Sequence, residues 1–183
     1  MKLLTLSGLA FALALFLTAC GGGETEQPAQ QQAAVDDGVR TIVIIGNDDM
    51  KFVVESAAEG LVTGGAVGSL ILLEGIEAAP GEEIRIVLKT RSNLPPQVMA
   101  HNFVLVELGT DVDAFQRASL AARDTEFIAP DFADQVIIAT RMLSAGQEQT
   151  ITFTAPETPG EYDYLCTFPG HFAAGMVGKL IVQ

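Results

Sequence analysis

Residues 164–176 read Tyr-Leu-Cys-Thr-Phe-Pro-Gly-His-Phe-Ala-Ala-Gly-Met, and the placement of this stretch decides the fold. Before it, Glu161–Leu165 is a short apolar run; after it, Val177–Val182 is another, Val-Gly-Lys-Leu-Ile-Val. Pro169-Gly170 is a turn pair, so the stretch reads as a loop carried between two strands. Within that loop lie a thiol, Cys166, an imidazole, His171, and a thioether, Met176. The chain has only two histidines, and the other, His101, opens a further apolar run.

Working outward, runs rich in valine, isoleucine and leucine alternate with breakers. Arg40–Ile45 ends at Gly46-Asn47-Asp48-Asp49, and Met50–Val54 follows. Glu83–Lys89 places Ile84, Ile86 and Leu88 on every second position, the pattern of a half-buried strand. His101–Leu108 puts His101, Phe103, Leu105 and Glu107 on one face and Asn102, Val104, Val106 and Leu108 on the other. Val136–Thr140 and Gln149–Thr154 add two more strands, and Arg91–Met99 is a proline-bearing loop. The stretch 57–68, with four glycines, reads as a loop or loose insertion, and Leu70–Leu73 as a short strand. Asp111–Arg123 is the one helix candidate, with Thr110 or Asp111 as cap. Seven to nine strands so spaced predict an all-β, two-sheet sandwich with one short helix outside it. No repeat and no heptad pattern interrupts this reading.

The ends and the composition set the setting. Met1-Lys2 and the apolar run from Leu3 to Leu17 form a processing signal, too short and unflanked for a membrane span. Residues 1–19, followed by Cys20, resemble a bacterial lipoprotein signal, which implies acylation of Cys20 and an exported, lipid-anchored product on the periplasmic or outer-surface side of a membrane. Residues 20–38, rich in Gly, Gln, Glu and Ala, read as a flexible tether, and 39–183 as the folded domain. A net charge of -13 opposes binding to nucleic acid and to anionic lipid surfaces. Of two cysteines, Cys20 is assigned to lipid, which leaves Cys166 a lone thiol in an oxidising compartment. Metal ligation explains such a thiol.

Two histidines, one cysteine and a distant methionine sulfur are the ligand types of a blue-copper electron-transfer site. A thiolate binds copper covalently enough to tune its potential, two neutral imidazoles suit both oxidation states, and a weak axial thioether is soft enough not to overfavour Cu(II). His101, Cys166, His171 and Met176 are therefore the candidate ligands of one Cu(I)/Cu(II) ion per chain.

The segment Cys-Thr-Phe-Pro-Gly-His-Phe-Ala-Ala-Gly-Met at 166–176, with Asn-Leu-Pro-Pro-Gln-Val-Met-Ala-His-Asn-Phe-Val-Leu-Val at 93–106, resembles the azurin and auracyanin branch of the cupredoxins. Gly46–Phe52 is also similar to the early strand region of azurin. The resemblance spans most of 41–182 and implies a Greek-key sandwich. It implies His101, Cys166 and His171 as strong ligands, Met176 as the weak axial one, and a carbonyl, here that of Ala100, on the opposite axis. Asn102 and the Phe168 amide match positions that hydrogen-bond the cysteine sulfur. The family further implies an edge of the second histidine facing solvent inside an apolar patch, to which Phe172 and Met99 would contribute. Four residues separate His171 from Met176, as in auracyanin, where azurin has three; azurin's disulfide has no counterpart. What this implies is electron transfer by a monomer, between redox proteins such as a c-type cytochrome or a membrane oxidoreductase, without an enzymatic substrate. The alternative is a lipoprotein that stores or delivers copper, using scattered methionines such as Met50, Met99 and Met142. A Cys-His hydrolase would leave Met176 and one histidine without a role, and no second cysteine lies near Cys166 for a dinuclear copper site.

Overall fold

The computed structural model describes residues 37–183; the signal, Cys20 and nearly all of the tether read at 20–38 lie outside the described residues. Ten strands run in chain order: β1 Arg40–Asn47, β2 Phe52–Val54, β3 Leu61–Val67, β4 Leu70–Ala78, β5 Glu83–Arg91, β6 Val104–Val106, β7 Val136–Ala139, β8 Glu148–Thr154, β9 Gly160–Leu165 and β10 Val177–Val182. One α-helix, α1, covers Val112–Ser119, and 3₁₀ turns cover Arg123–Thr125 and Pro130–Gln135.

The strands hydrogen-bond in the order β7-β6-β9-β10-β4-β2-β1-β5-β8, with β3 on the outer edge of β4. The β1–β5 and β4–β10 pairs are parallel, between strands far apart in sequence, and the other pairs are antiparallel. The two expected layers are thus joined through β2 and β4 rather than separate. One core cluster draws on strands from both halves of this path: Leu105 of β6, Tyr162 and Tyr164 of β9, Ile84, Ile86 and Leu88 of β5, and Phe153 of β8. Strands so distant in hydrogen-bonding order share a core only if the sheet curls over on itself. Alternation accounts for it, since β5 is exposed or half-exposed and buried in strict turn, with every isoleucine and Leu88 inward.

Three segments depart from the sequence reading. The glycine-rich stretch 61–67, expected to be a loop, is strand β3, hairpinned to a longer β4 through Gly68-Ser69, with Gly68 at φ 62°. Two register shifts interrupt its ladder, which is how a strand holding Gly64 and Gly65 stays paired. The expected strand 101–108 shrinks to Val104–Val106, preceded by an isolated bridge between His101 and Leu143. Its ladder breaks because donors are diverted: the Phe103 N–H goes to Thr140 Oγ1 at 2.9 Å, and the Asn102 N–H to the Cys166 sulfur. The predicted helix is real but shorter, capped by Asp111, whose Oδ1 accepts from the Ala114 N–H at 2.9 Å. It lies against the sheet through Phe115, which packs with Val104, Val106 and Leu165. Among the described residues, no helix is long and apolar enough to cross a membrane.

Candidate metal centre

Both sources of the site hang from the same end of the sheet. The β9–β10 connection carries Cys166, His171 and Met176, and the entry to β6 carries His101. The connection is a series of tight turns: the His171 N–H donates to the Phe168 carbonyl at 3.1 Å, Ala174 to Gly170 at 3.0 Å, Gly175 to Phe172 at 2.8 Å and Met176 to His171 at 2.9 Å. Gly170 and Gly175 sit at φ 90° and 86°, left-handed positions that favour glycine. The Cys166 N–H closes the loop on the Met176 carbonyl at 3.1 Å. His101 is held by paired bonds to Leu143, at 2.9 and 2.8 Å.

This geometry brings three of the sequence-predicted residues together. One ligand atom each from His101, Cys166 and His171 lies within 4.8 Å of the others, and all three residues are buried. The Cys166 Sγ is 3.4 Å from His171 Nδ1, and the two imidazole centroids are 4.8 Å apart. Met176 is buried at the loop's end, tied through its backbone to both Cys166 and His171. Ala100 is buried beside His101. Met99 is buried as well, so it does not contribute to a surface rim. His171 is 1% exposed, which leaves its edge more enclosed than the resemblance implied; Pro169 and Gly170 are exposed next to it, and Phe172 is half-buried against the Phe115 cluster.

Neighbouring groups hold the cluster. Asn102 works as a clamp: its Oδ1 accepts from the Thr167 N–H and its Nδ2 donates to Thr167 Oγ1, both at 2.8 Å. Its own N–H and that of Phe168 donate to the Cys166 sulfur, as the resemblance implied for this pair of positions. Gln116 of α1 reaches the Thr167 carbonyl at 3.4 Å. Glu126 and Phe127 both adopt positive φ, and Phe127 meets Phe168 edge to face with centroids 5.7 Å apart. Gly46 lies flat against the His101 ring, where a Cβ would come within 2.6–2.9 Å of three ring and Cβ carbons. Among these supports, the resemblance pointed to the Asn102 and Phe168 amides and, through the likeness of Gly46–Phe52 to the azurin strand, to the region of Gly46; Thr167, Gln116 and Phe127 carry no residue-type signal.

The electrostatics are those of a dry pocket. Burial pushes the Cys166 thiol up to about 12, against which the two amide donors work. Burial first, and then the charge of His171, pulls His101 down to about 3; Asp48 and the Asn47 backbone oppose that shift. Burial also lowers His171 to about 4. Without a metal, the pocket at neutral pH therefore holds a thiol and two neutral imidazoles. Among the described residues, neither nitrogen of the His101 ring has a hydrogen-bond partner of acceptable geometry. A buried imidazole whose nitrogens lack well-formed hydrogen bonds costs stability; a metal ion within the cluster supplies a partner for one of them, and the Asn47 backbone is the polar group at hand for the other. The donor set fits a soft, three-coordinate-plus-one copper site.

Comparison with known proteins bears on the same residues. Positions 72–183 match the family described as copper binding proteins, plastocyanin/azurin family. Auracyanin-B of Chloroflexus aurantiacus is 41% identical over 100 residues, 54% of this chain and 41% of that one. Outer membrane protein H.8 of Neisseria meningitidis serogroup B is 36% identical over 100 residues, again 54% of this chain and 53% of its own length. The chain thus spans about half the length of these curated relatives. A dithionite-reduced auracyanin from the photosynthetic bacterium Roseiflexus castenholzii superposes with a TM-score of 0.58 at 30% identity, covering 78% of this chain and 96% of that one.

Proposed function

Because the chain belongs to the plastocyanin/azurin family of copper-binding proteins, we propose that it is a one-electron carrier with its copper held by His101, Cys166, His171 and Met176. The observation that carries this reading is the buried convergence of two imidazoles and one thiol within 4.8 Å, with the His101 nitrogens otherwise lacking well-formed hydrogen bonds. Copper in such a site supplies a single electron by passing between Cu(I) and Cu(II). The chain's own part is to hold the ligands still. Cys166 gives up its proton to become a thiolate, and the Asn102 and Phe168 amides stabilise the charge that remains on sulfur. His101 and His171, buried and neutral, are ready to ligate without losing a proton. The Asn102–Thr167 clamp and the Leu143 bridge fix both halves of the site to the sheet, so a change of oxidation state requires little rearrangement. No coordination position is left for a substrate in this reading, so the protein relays electrons and is not an enzyme.

Its setting is proposed from the N-terminus. Residues 1–19 are a lipoprotein signal, acylated Cys20 is the anchor, 20–38 are the tether, and the domain from 39 to 183 stands off the membrane on its exported side. The likeness to a protein named for the outer membrane supports this placement. Tethering concentrates a monomeric carrier near membrane-associated redox partners, such as a c-type cytochrome or a membrane oxidoreductase.

Titration of the purified protein with Cu(II) tests the centre. An intense thiolate-to-copper absorption band in the visible, with narrow copper hyperfine splitting, is expected. Cys166→Ser should abolish the band and leave a folded domain. Weak absorption with wide splitting would sink the assignment. Copper-loaded protein that exchanges no electron with any c-type cytochrome or membrane redox protein would favour copper storage or delivery instead.

A further inference from the structure

The turn between β1 and β2 touches both halves of the site. Gly46, near the end of β1 where this turn departs, faces the His101 ring. The turn's last residue, Lys51, extends to the ligand loop, where its Nζ donates a hydrogen bond to the Ala174 carbonyl. Lys51 is half-buried, and among the described residues no carboxylate oxygen lies within 4.0 Å of its nitrogen. It is an ammonium in a chain of net charge -13, directed to a carbonyl rather than to an acid.

The backbone is arranged to deliver it there. The Lys51 N–H donates to Asn47 Oδ1 at 3.2 Å, and the Asn47 N–H returns to the Lys51 carbonyl at 3.4 Å. Met50, just before it, takes a positive φ of 54°, a conformation unfavourable for a long side chain and tolerated where surrounding bonds impose it. On the far side, Gly175 leaves the space open: a Cβ there would stand 3.1 Å from the Lys51 nitrogen. The Ala174–Gly175 peptide is the one that turns the chain into Met176. Among the described residues, the other hydrogen bonds of residues 170–176 run within the loop, and the bond from Lys51 attaches this end of it to a different strand connection.

We infer that Lys51 is a positioning residue: by holding the Ala174–Gly175 peptide it fixes where Met176 enters the site, and its charge raises the reduction potential of the copper. The potential half of this statement rests on the copper reading above; the holding half does not. A positive charge beside the loop disfavours Cu(II) more than Cu(I), because the oxidised ion carries the larger like charge. A charge-assisted bond to one peptide restrains it more than a neutral one does.

Two variants separate these effects. Lys51→Met keeps the aliphatic stem and removes charge and donor; Lys51→Arg keeps both. In the metal-free protein, Lys51→Met should speed hydrogen exchange at the Gly175 and Met176 amides by roughly tenfold, and Lys51→Arg should restore protection. In the copper-loaded protein, Lys51→Met should lower the midpoint potential and shift the thiolate-to-copper band, and Lys51→Arg should return both toward the parent. Exchange unchanged in Lys51→Met overturns the hold, and an unchanged potential overturns the electrostatic role. If Lys51→Arg shifts as far as Lys51→Met, neither charge nor donor is what matters, and the assignment falls. A protein that takes up no copper refutes the carrier reading and the potential claim with it, while exchange in the metal-free protein still decides the hold.

Discussion

His101 has room for its ring because Gly46 has no side chain. Alanine there meets no conformational penalty, since Gly46 is not among the positive-φ residues, so the whole cost is overlap with the ring and Cβ carbons at 2.6–2.9 Å. Gly46→Ala should therefore destabilise the metal-free protein by about 1–3 kcal/mol, the usual range for overpacking a dense interior. It should also displace the imidazole and alter the copper spectrum. Denaturant unfolding and visible absorption check the two halves. An unaltered spectrum would mean that β1 shifts away and His101 stays where it is. At this scale, what was legible in the sequence divides by chemistry. Cys166, His171, Met176 and His101 announce themselves because few residue types ligate copper. Gly46 and Thr167 do not: one acts by lacking atoms, the other through the Asn102 amide that grips it from 65 positions away. Asn102 was located by resemblance, and only the coordinates show that its backbone serves the sulfur while its side chain serves Thr167.

Elements were legible where the pattern is local. β1, β5, β8, β9 and β10 follow alternation or apolar runs closely, and α1 begins where Asp111 was a candidate cap. Asp111→Ala removes the acceptor for the Ala114 N–H and should cost about 1 kcal/mol, read as a lower denaturation midpoint with an unchanged denaturant slope. Because Gln116 of this helix reaches the Thr167 carbonyl, a helix that frays far enough to release Phe115 would also loosen the ligand loop. A band shift in Asp111→Ala would reveal that coupling; a midpoint change alone places the cap's effect in stability only. β3 and the first part of 101–108 depart from their sequence pattern for opposite reasons. Around Gly64 and Gly65 the local preference is against a strand, and pairing with Leu70–Ile76 overrides it, which no short window can show. From His101 to Phe103 the local pattern is a good strand, and the tertiary setting overrides it: the Asn102 N–H goes to the Cys166 sulfur and the Phe103 N–H to Thr140 Oγ1.

For the whole molecule, the question is how far the metal and the fold depend on each other. The core of Ile42, Ile44, Ile84, Ile86, Leu88, Phe103, Tyr164 and their neighbours is continuous and buried without help from an ion. Metal-free protein should therefore remain folded, unlike a small domain whose only core is its metal site. The site nonetheless carries a cost when metal-free, in a His101 ring without a well-formed hydrogen bond and a thiol that must stay protonated. Binding to the native state alone stabilises by mass action, about 4.1 kcal/mol when free metal stands at 1,000 times its Kd. For a domain near 150 residues this raises Tm by about 8–16 °C, and chelation should reverse it with the circular dichroism of the sheet retained. The gain has a pH sign. Since the Cys166 thiol sits up to about 12 when metal-free, ligation expels its proton at any ordinary pH, so affinity should rise about tenfold per pH unit and the Tm increment should shrink in acid. A Tm that ignores chelation, or an increment that grows as pH falls, would show that copper is not held by the thiolate and that the buried cluster has another occupant.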